Sequence, residues 1–123
     1  MLKLLAIAMG GAVGAISRFW VASSIHALIG QDFPYGTLIV NVSGCLLMGF
    51  LYILLMERFP SVEWRAALLI GFLGAYTTFS TFSLETLNLL NSGEPAKALI
   101  NVLTSICFCL LATWLGMGLA RQL

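Results

Sequence analysis

Apolar residues fill this chain in long blocks broken by short polar interruptions. Residues 33–56, 66–84 and 98–120 contain no charged side chain. Each block reaches the roughly 20 apolar residues that a membrane-crossing helix needs. A further block, at about 4–28, qualifies if Arg18 is tolerated inside it. The pattern predicts four helical spans, at about 4–28, 36–56, 66–90 and 98–120, forming one all-α membrane domain over 1–123. The interruptions "QDFPYG", "ERFPSVE" and "SGEPAK" each hold one of the three prolines, where Pro and Gly punctuate helix ends. Such short connections make neighbouring spans antiparallel.

Composition agrees. Hydrophobic residues make up 60% of the 123 positions and charged residues 9%. A soluble domain carries about 25% charged residues, so lipid is the expected solvent. A net charge of +1 supplies no basic stripe for nucleic acid. Cys45, Cys107 and Cys109 lie in apolar stretches without metal-ligand spacing and read as small hydrophobes at helix interfaces. His26 has no partner motif. The apolar run after Lys3 continues past Arg18, so a retained first span is expected rather than a cleaved leader.

Lys3, Arg58, Arg65 and Arg121 fall on the N-terminal side, and Lys97 falls on the other. The bias favours a cytoplasmic N-terminus only weakly and permits insertion in both orientations. Small residues let helices approach closely in lipid. Gly10 and Gly14 have that spacing, and Gly44 and Gly49 line the second span. Four thin helices cannot enclose a polar path alone, so a two-fold homodimer is expected.

The candidate chemistry is concentrated in "GAYTTFSTFSLE", residues 74–85. Thr77, Thr78, Ser80, Thr81 and Ser83 bring five hydroxyls into seven residues. At helical spacing Phe79, Phe82 and Ser83 share one face, and Thr78, Thr81 and Glu85 share the next. Back-bonding of each hydroxyl to the previous turn is the alternative to a functional role. Gly71 and Gly74 ahead of consecutive threonines predict a break in the third helix. Carbonyls freed at such a break can coordinate Na⁺.

Asn41 and Asn101 enter the second and fourth spans at similar depth, and Thr104, Ser105 and Phe108 continue a stripe from Asn101. Interhelical glue and pore lining fit this pattern equally. Arg18 and Glu85 are ionisable groups well inside spans, where such groups face a cavity or one another. Arg18 either pairs with Glu85, stands in a watery vestibule or snorkels. No catalytic constellation is visible in the sequence, so an enzyme is not expected. Amide and hydroxyl donors suit an anion, and phenyl rings have positive edges. A path with no Lys or Arg among its donors can release what it binds.

"GFLGAYTTFSTFSLE", "GGAVGAISRFW" and "GTLIVNVSG" together resemble the three sequence blocks of the bacterial fluoride channel family (Fluc, or CrcB). The resemblance covers the whole chain. It implies an antiparallel, dual-topology homodimer in the bacterial inner membrane that passively exports fluoride through two pores. Carried over by motif, Phe79 and Phe82 present ring edges to fluoride and Asn41 is the pore asparagine. Ser80, Thr81 and Ser83 form the hydroxyl-rich helix, followed by Glu85, and Arg18 matches the first-span arginine. A structural, untransported Na⁺ is implied at carbonyls of Gly74 and Thr77. The chain has Ala75-Tyr76 where the family often has glycine and an aliphatic residue. Pore roles for Asn101 and Ser105 come from the stripe alone. The rival is a small multidrug-type antiporter, also a four-span dimer. It needs a carboxylate in the first span, and no acid precedes Asp32. A non-transporting membrane subunit is a third reading.

Overall fold

Leu2–Ile29 forms α1 and stops at Gly30, whose φ of 95° suits a residue without Cβ. The Gly30 N–H closes on the His26 carbonyl. α2, Tyr35–Glu57, starts after Pro34, and α6, Pro95–Arg121, carries its proline in the first turn, where no N–H is needed. These bounds come from a computed structural model, which describes residues 1–58 and 61–123. Phe59 and Pro60 of the second expected loop lie outside the described residues.

The third span is composite. α3, Val62–Arg65, begins ahead of the apolar block because the Ser61 hydroxyl caps it, accepting the Trp64 N–H. A π-helical segment, Ala66–Leu73, follows, with wider turns than an α-helix. α4, Gly74–Tyr76, leads to Thr77 (φ −78°, ψ 156°) and Thr78 (φ −150°, ψ 120°), both extended. α5, Phe79–Asn91, then resumes. All described elements are helical, and four stretches are long and apolar enough to cross a membrane: Leu2–Ile29, Tyr35–Glu57, Val62–Asn91 and Pro95–Arg121.

Glycines set the two tightest seams. A Cβ on Gly49 of α2 would fall 2.2 Å from the Thr113 carbonyl oxygen, and one on Gly116 of α6 would fall 2.1 Å from that of Leu46. The backbones of α2 and α6 therefore touch, which bulkier residues would prevent. In the same way Gly10 and Gly14 of α1 seat the carbonyls of Ala67 and Phe72. α5 is different. None of its residues is buried, and Phe79, Leu84 and Leu87 are exposed. One whole side of the hydroxyl-rich helix is left open in the single chain.

Candidate functional site

The site is organised around Thr78. In an unbroken helix its N–H would bond to the Gly74 carbonyl, four residues earlier. Here it donates to Asn41 Oδ1 at 2.8 Å, and Asn41 Nδ2 donates back to the Thr78 carbonyl at 2.9 Å. The side-chain amide of α2 thus substitutes for a neighbouring peptide group and satisfies both polar atoms of Thr78. Its hydroxyl does the next task. As N-cap of α5 it accepts the Thr81 N–H at 3.2 Å, the donor that would otherwise reach the Thr77 carbonyl. Consequently the Gly74 and Thr77 carbonyls both lose the amide one turn ahead. Backbone oxygens without that donor are costly at membrane depth and need another partner. Thr77 adds its own hydroxyl to the Leu73 carbonyl at 2.9 Å, closing α4 from below.

A cleft of about 270 Å³ opens beside this knot, lined by Asn41, Cys45, Thr77, Phe79, Phe82 and Ser105 among others. The rings of Phe79 and Phe82 lie 5.4 Å apart, tilted by 45°. Neither ring is flat against the other. Phe79 is 78% exposed. In the single chain this cleft is open on the side of Phe79.

On the other side of Thr78 lies a second cleft of about 230 Å³, which holds Arg18, His26, Thr37 and Thr81. The hydroxyls of Thr78, Ser80 and Thr81 form a cluster with oxygen separations of 3.0 and 3.2 Å. A third space of about 390 Å³ is lined by His26, Gln31, Glu85, Asn88 and Ser92. Glu85 Oε1 accepts from the Thr37 hydroxyl at 2.8 Å, while Oε2 is buried with no protein partner. Arg18 and Glu85 occupy different clefts and form no ion pair with each other among the described residues. The pair that does form is Lys97–Glu94, 2.5 Å apart and exposed at the start of α6.

The structure therefore brings Asn41, Phe79, Phe82 and Ser105 to one cleft and Arg18 and Thr81 to the next, with the Ser80 hydroxyl bonded to that of Thr78. It does not bring all expected donors there. The Ser83 hydroxyl donates to the Phe79 carbonyl at 2.9 Å, the back-bonded alternative. Asn101 is 2% exposed and donates to the Thr86 hydroxyl at 2.9 Å, holding α6 to α5. The expected stripe on α6 also divides. Ser105 turns inward, whereas Thr104 and Phe108 line a separate space with Tyr35 and Lys97. Thr104 sits one residue from Ser105, and 100° of rotation is enough to separate them.

A family model described as CrcB-like protein, Camphor Resistance (CrcB), matches residues 5–117. The chain belongs to the CrcB family. Three relatives bear the name "Fluoride-specific ion channel FluC". That of Methylococcus capsulatus is 58% identical over 123 residues, covering 99% of this chain and 54% of that protein. That of Coxiella burnetii (strain Dugway 5J108-111) is 47% identical over 124 residues, with 99% and 100% covered. That of Geobacter sulfurreducens is 50% identical over 124 residues, with both chains fully covered. The chain thus spans about half of the Methylococcus protein and the full length of the other two.

Within this CrcB member, sequence reasoning gave no site role to Thr37, Thr86, Tyr76 or His26. A signal existed for the first: Thr37, Asn41 and Cys45 repeat every four residues on α2. Tyr76 places its hydroxyl 3.0 Å from that of Ser43, and no spacing links the two. His26 has no sequence motif, yet it lines two of the three clefts.

Proposed function

We propose that this chain is a fluoride-selective channel, not an enzyme, which lets fluoride leave the bacterial cytoplasm passively through the inner membrane. The observation that carries the reading is the first cleft. It joins two aromatic edges, an amide and a hydroxyl beside a helix break, with no charged side chain among its lining. An anion there exchanges water for donors and ring edges without being held by a full charge. Arg18 in the adjoining cleft raises the local anion concentration at the approach.

The open side of α5 supports a second copy as the missing wall. An antiparallel, dual-topology homodimer would cover Phe79 and give two equivalent paths. The third span is read as a broken helix whose loosened carbonyls face that partner. Gly74 and Thr77 fit a Na⁺ site: both oxygens are hard donors, and both lack the amide that a continuous helix supplies. When bound, the ion supplies a fixed positive charge that ties the breaks together and is not itself transported. The antiporter reading has no support, because α1 carries Lys3 and Arg18 and no acid.

The test is fluoride efflux from vesicles holding the pure protein, measured beside chloride efflux. Rapid fluoride loss with chloride retained is expected. Vesicles no leakier to fluoride than protein-free lipid would overturn the proposal.

A further inference from the structure

Two thiols stand in the wall of the first cleft, Cys45 from α2 and Cys109 from α6. Both are free thiols and both line this one cleft. Backbone geometry explains the proximity. Gly49 and Thr113, whose backbones touch, lie one turn beyond Cys45 and Cys109 respectively. The two helices run in the same direction, so the cysteines face each other one turn before the tightest point of the seam. Cys107, in contrast, is exposed and lines none of the three clefts around Thr78.

We infer that Cys45 and Cys109 form a two-coordinate site for a soft d¹⁰ cation such as Ag⁺ or Cu⁺, and that the bound ion obstructs the cleft. Thiolates select soft cations, and ions of this class are satisfied by two sulfurs in line. Hard cations prefer oxygen donors and are not taken between the two sulfurs. On binding, each thiol exchanges its S–H bond for an S–metal bond. Both protons pass to water, and no electron is transferred. The site opens toward Phe79, Phe82 and Ser105, so the linear bis-thiolate complex, which carries one net negative charge once both protons have left, adds bulk and a like charge where the anion path is uncharged. An anion is excluded there by bulk and like charge rather than passed on. The obstructing half rests on the channel reading above; the binding half does not.

Silver nitrate in chloride-free buffer is the probe, because silver fluoride stays dissolved. Cys107→Ala protein, which keeps only the pair, is compared with proteins that also carry Cys45→Ala or Cys109→Ala. Equilibrium dialysis should show one silver ion per chain in the first. Its affinity should be roughly a hundredfold above that of either single-thiol protein, the gain expected when two ligands act together. Two ions per chain, or equal affinities in all three, would overturn the site. In vesicles, silver should stop fluoride efflux through Cys107→Ala protein, and dithiothreitol should restore it. Undiminished efflux with the site filled would overturn obstruction. Vesicles that never pass fluoride would overturn the channel reading and the obstruction with it, and leave the dialysis to decide the site.

Discussion

Asn41 and Thr78, 37 residues apart in sequence, exchange two hydrogen bonds, side-chain amide against main-chain peptide. The extended Thr78 keeps its peptide group satisfied because α2 carries an amide at the right height. Replacing Asn41 by Leu removes both partners and leaves an N–H and a carbonyl unsatisfied in a low-dielectric setting. Each orphaned group costs about 1–3 kcal/mol. Asn41→Leu should therefore lower the thermal midpoint of the detergent-solubilised protein markedly, while Asn41→Gln, which keeps the chemistry at a longer reach, should lie between. A midpoint equal to that of the unmodified protein would refute the structural role given to this amide.

Phe79 and Phe82 line one cleft with their rings tilted by 45° to each other, and the proposed channel uses their edges. Ile has similar bulk and no quadrupole. Loss of about 1 kcal/mol of anion stabilisation corresponds to roughly a fivefold slower flux. Phe79→Ile and Phe82→Ile should each slow fluoride efflux to that extent and elute as the parent does in gel filtration. Unchanged flux in both would contradict the ring-edge role.

Thr37 is 5% exposed and donates to a half-buried carboxylate. Thr37→Val keeps the shape and removes the donor. The Glu85 carboxylate then has neither oxygen bonded to protein, and destabilisation of about 1–3 kcal/mol is expected. Combining it with Glu85→Leu should be less damaging than the sum of the single changes, because the orphaned acceptor is gone. A double-mutant cycle on unfolding midpoints measures this coupling; strict additivity would show that the contact contributes nothing.

Two glycines of the α2–α6 region allow a paired comparison. Gly49→Ala drives a methyl into the Thr113 carbonyl, where backbone must move, at a cost of about 1–3 kcal/mol. A Cβ on Gly118 meets nothing within 4 Å. Gly118→Ala should be neutral or stabilising by about 0.5–1 kcal/mol through helix propensity. Thermal scans of the two variants should diverge in sign.

Much of this architecture was legible in the sequence, and the reason is solvent. In hydrocarbon every backbone polar group must be satisfied within its own segment, so uncharged blocks of span length read directly as helices. The glycine seams were partly legible as well, since Gly10, Gly14 and Gly49 do seat backbone carbonyls of neighbouring helices. The aromatic and hydroxyl content of residues 77–83 marked where chemistry would gather.

The destination of each polar atom was decided only in three dimensions. Ser83 and Ser105 are alike in sequence, yet one bonds its own helix and the other lines the cleft. Asn41 and Asn101 enter their spans at similar depth, yet one bonds the extended Thr78 peptide and the other is buried against Thr86. Composition dictates that a hydroxyl or amide in lipid must find a partner. Which partner depends on the rotation and height of neighbouring helices, and those follow from the glycine contacts between α2 and α6 and between α1 and the π-helical segment.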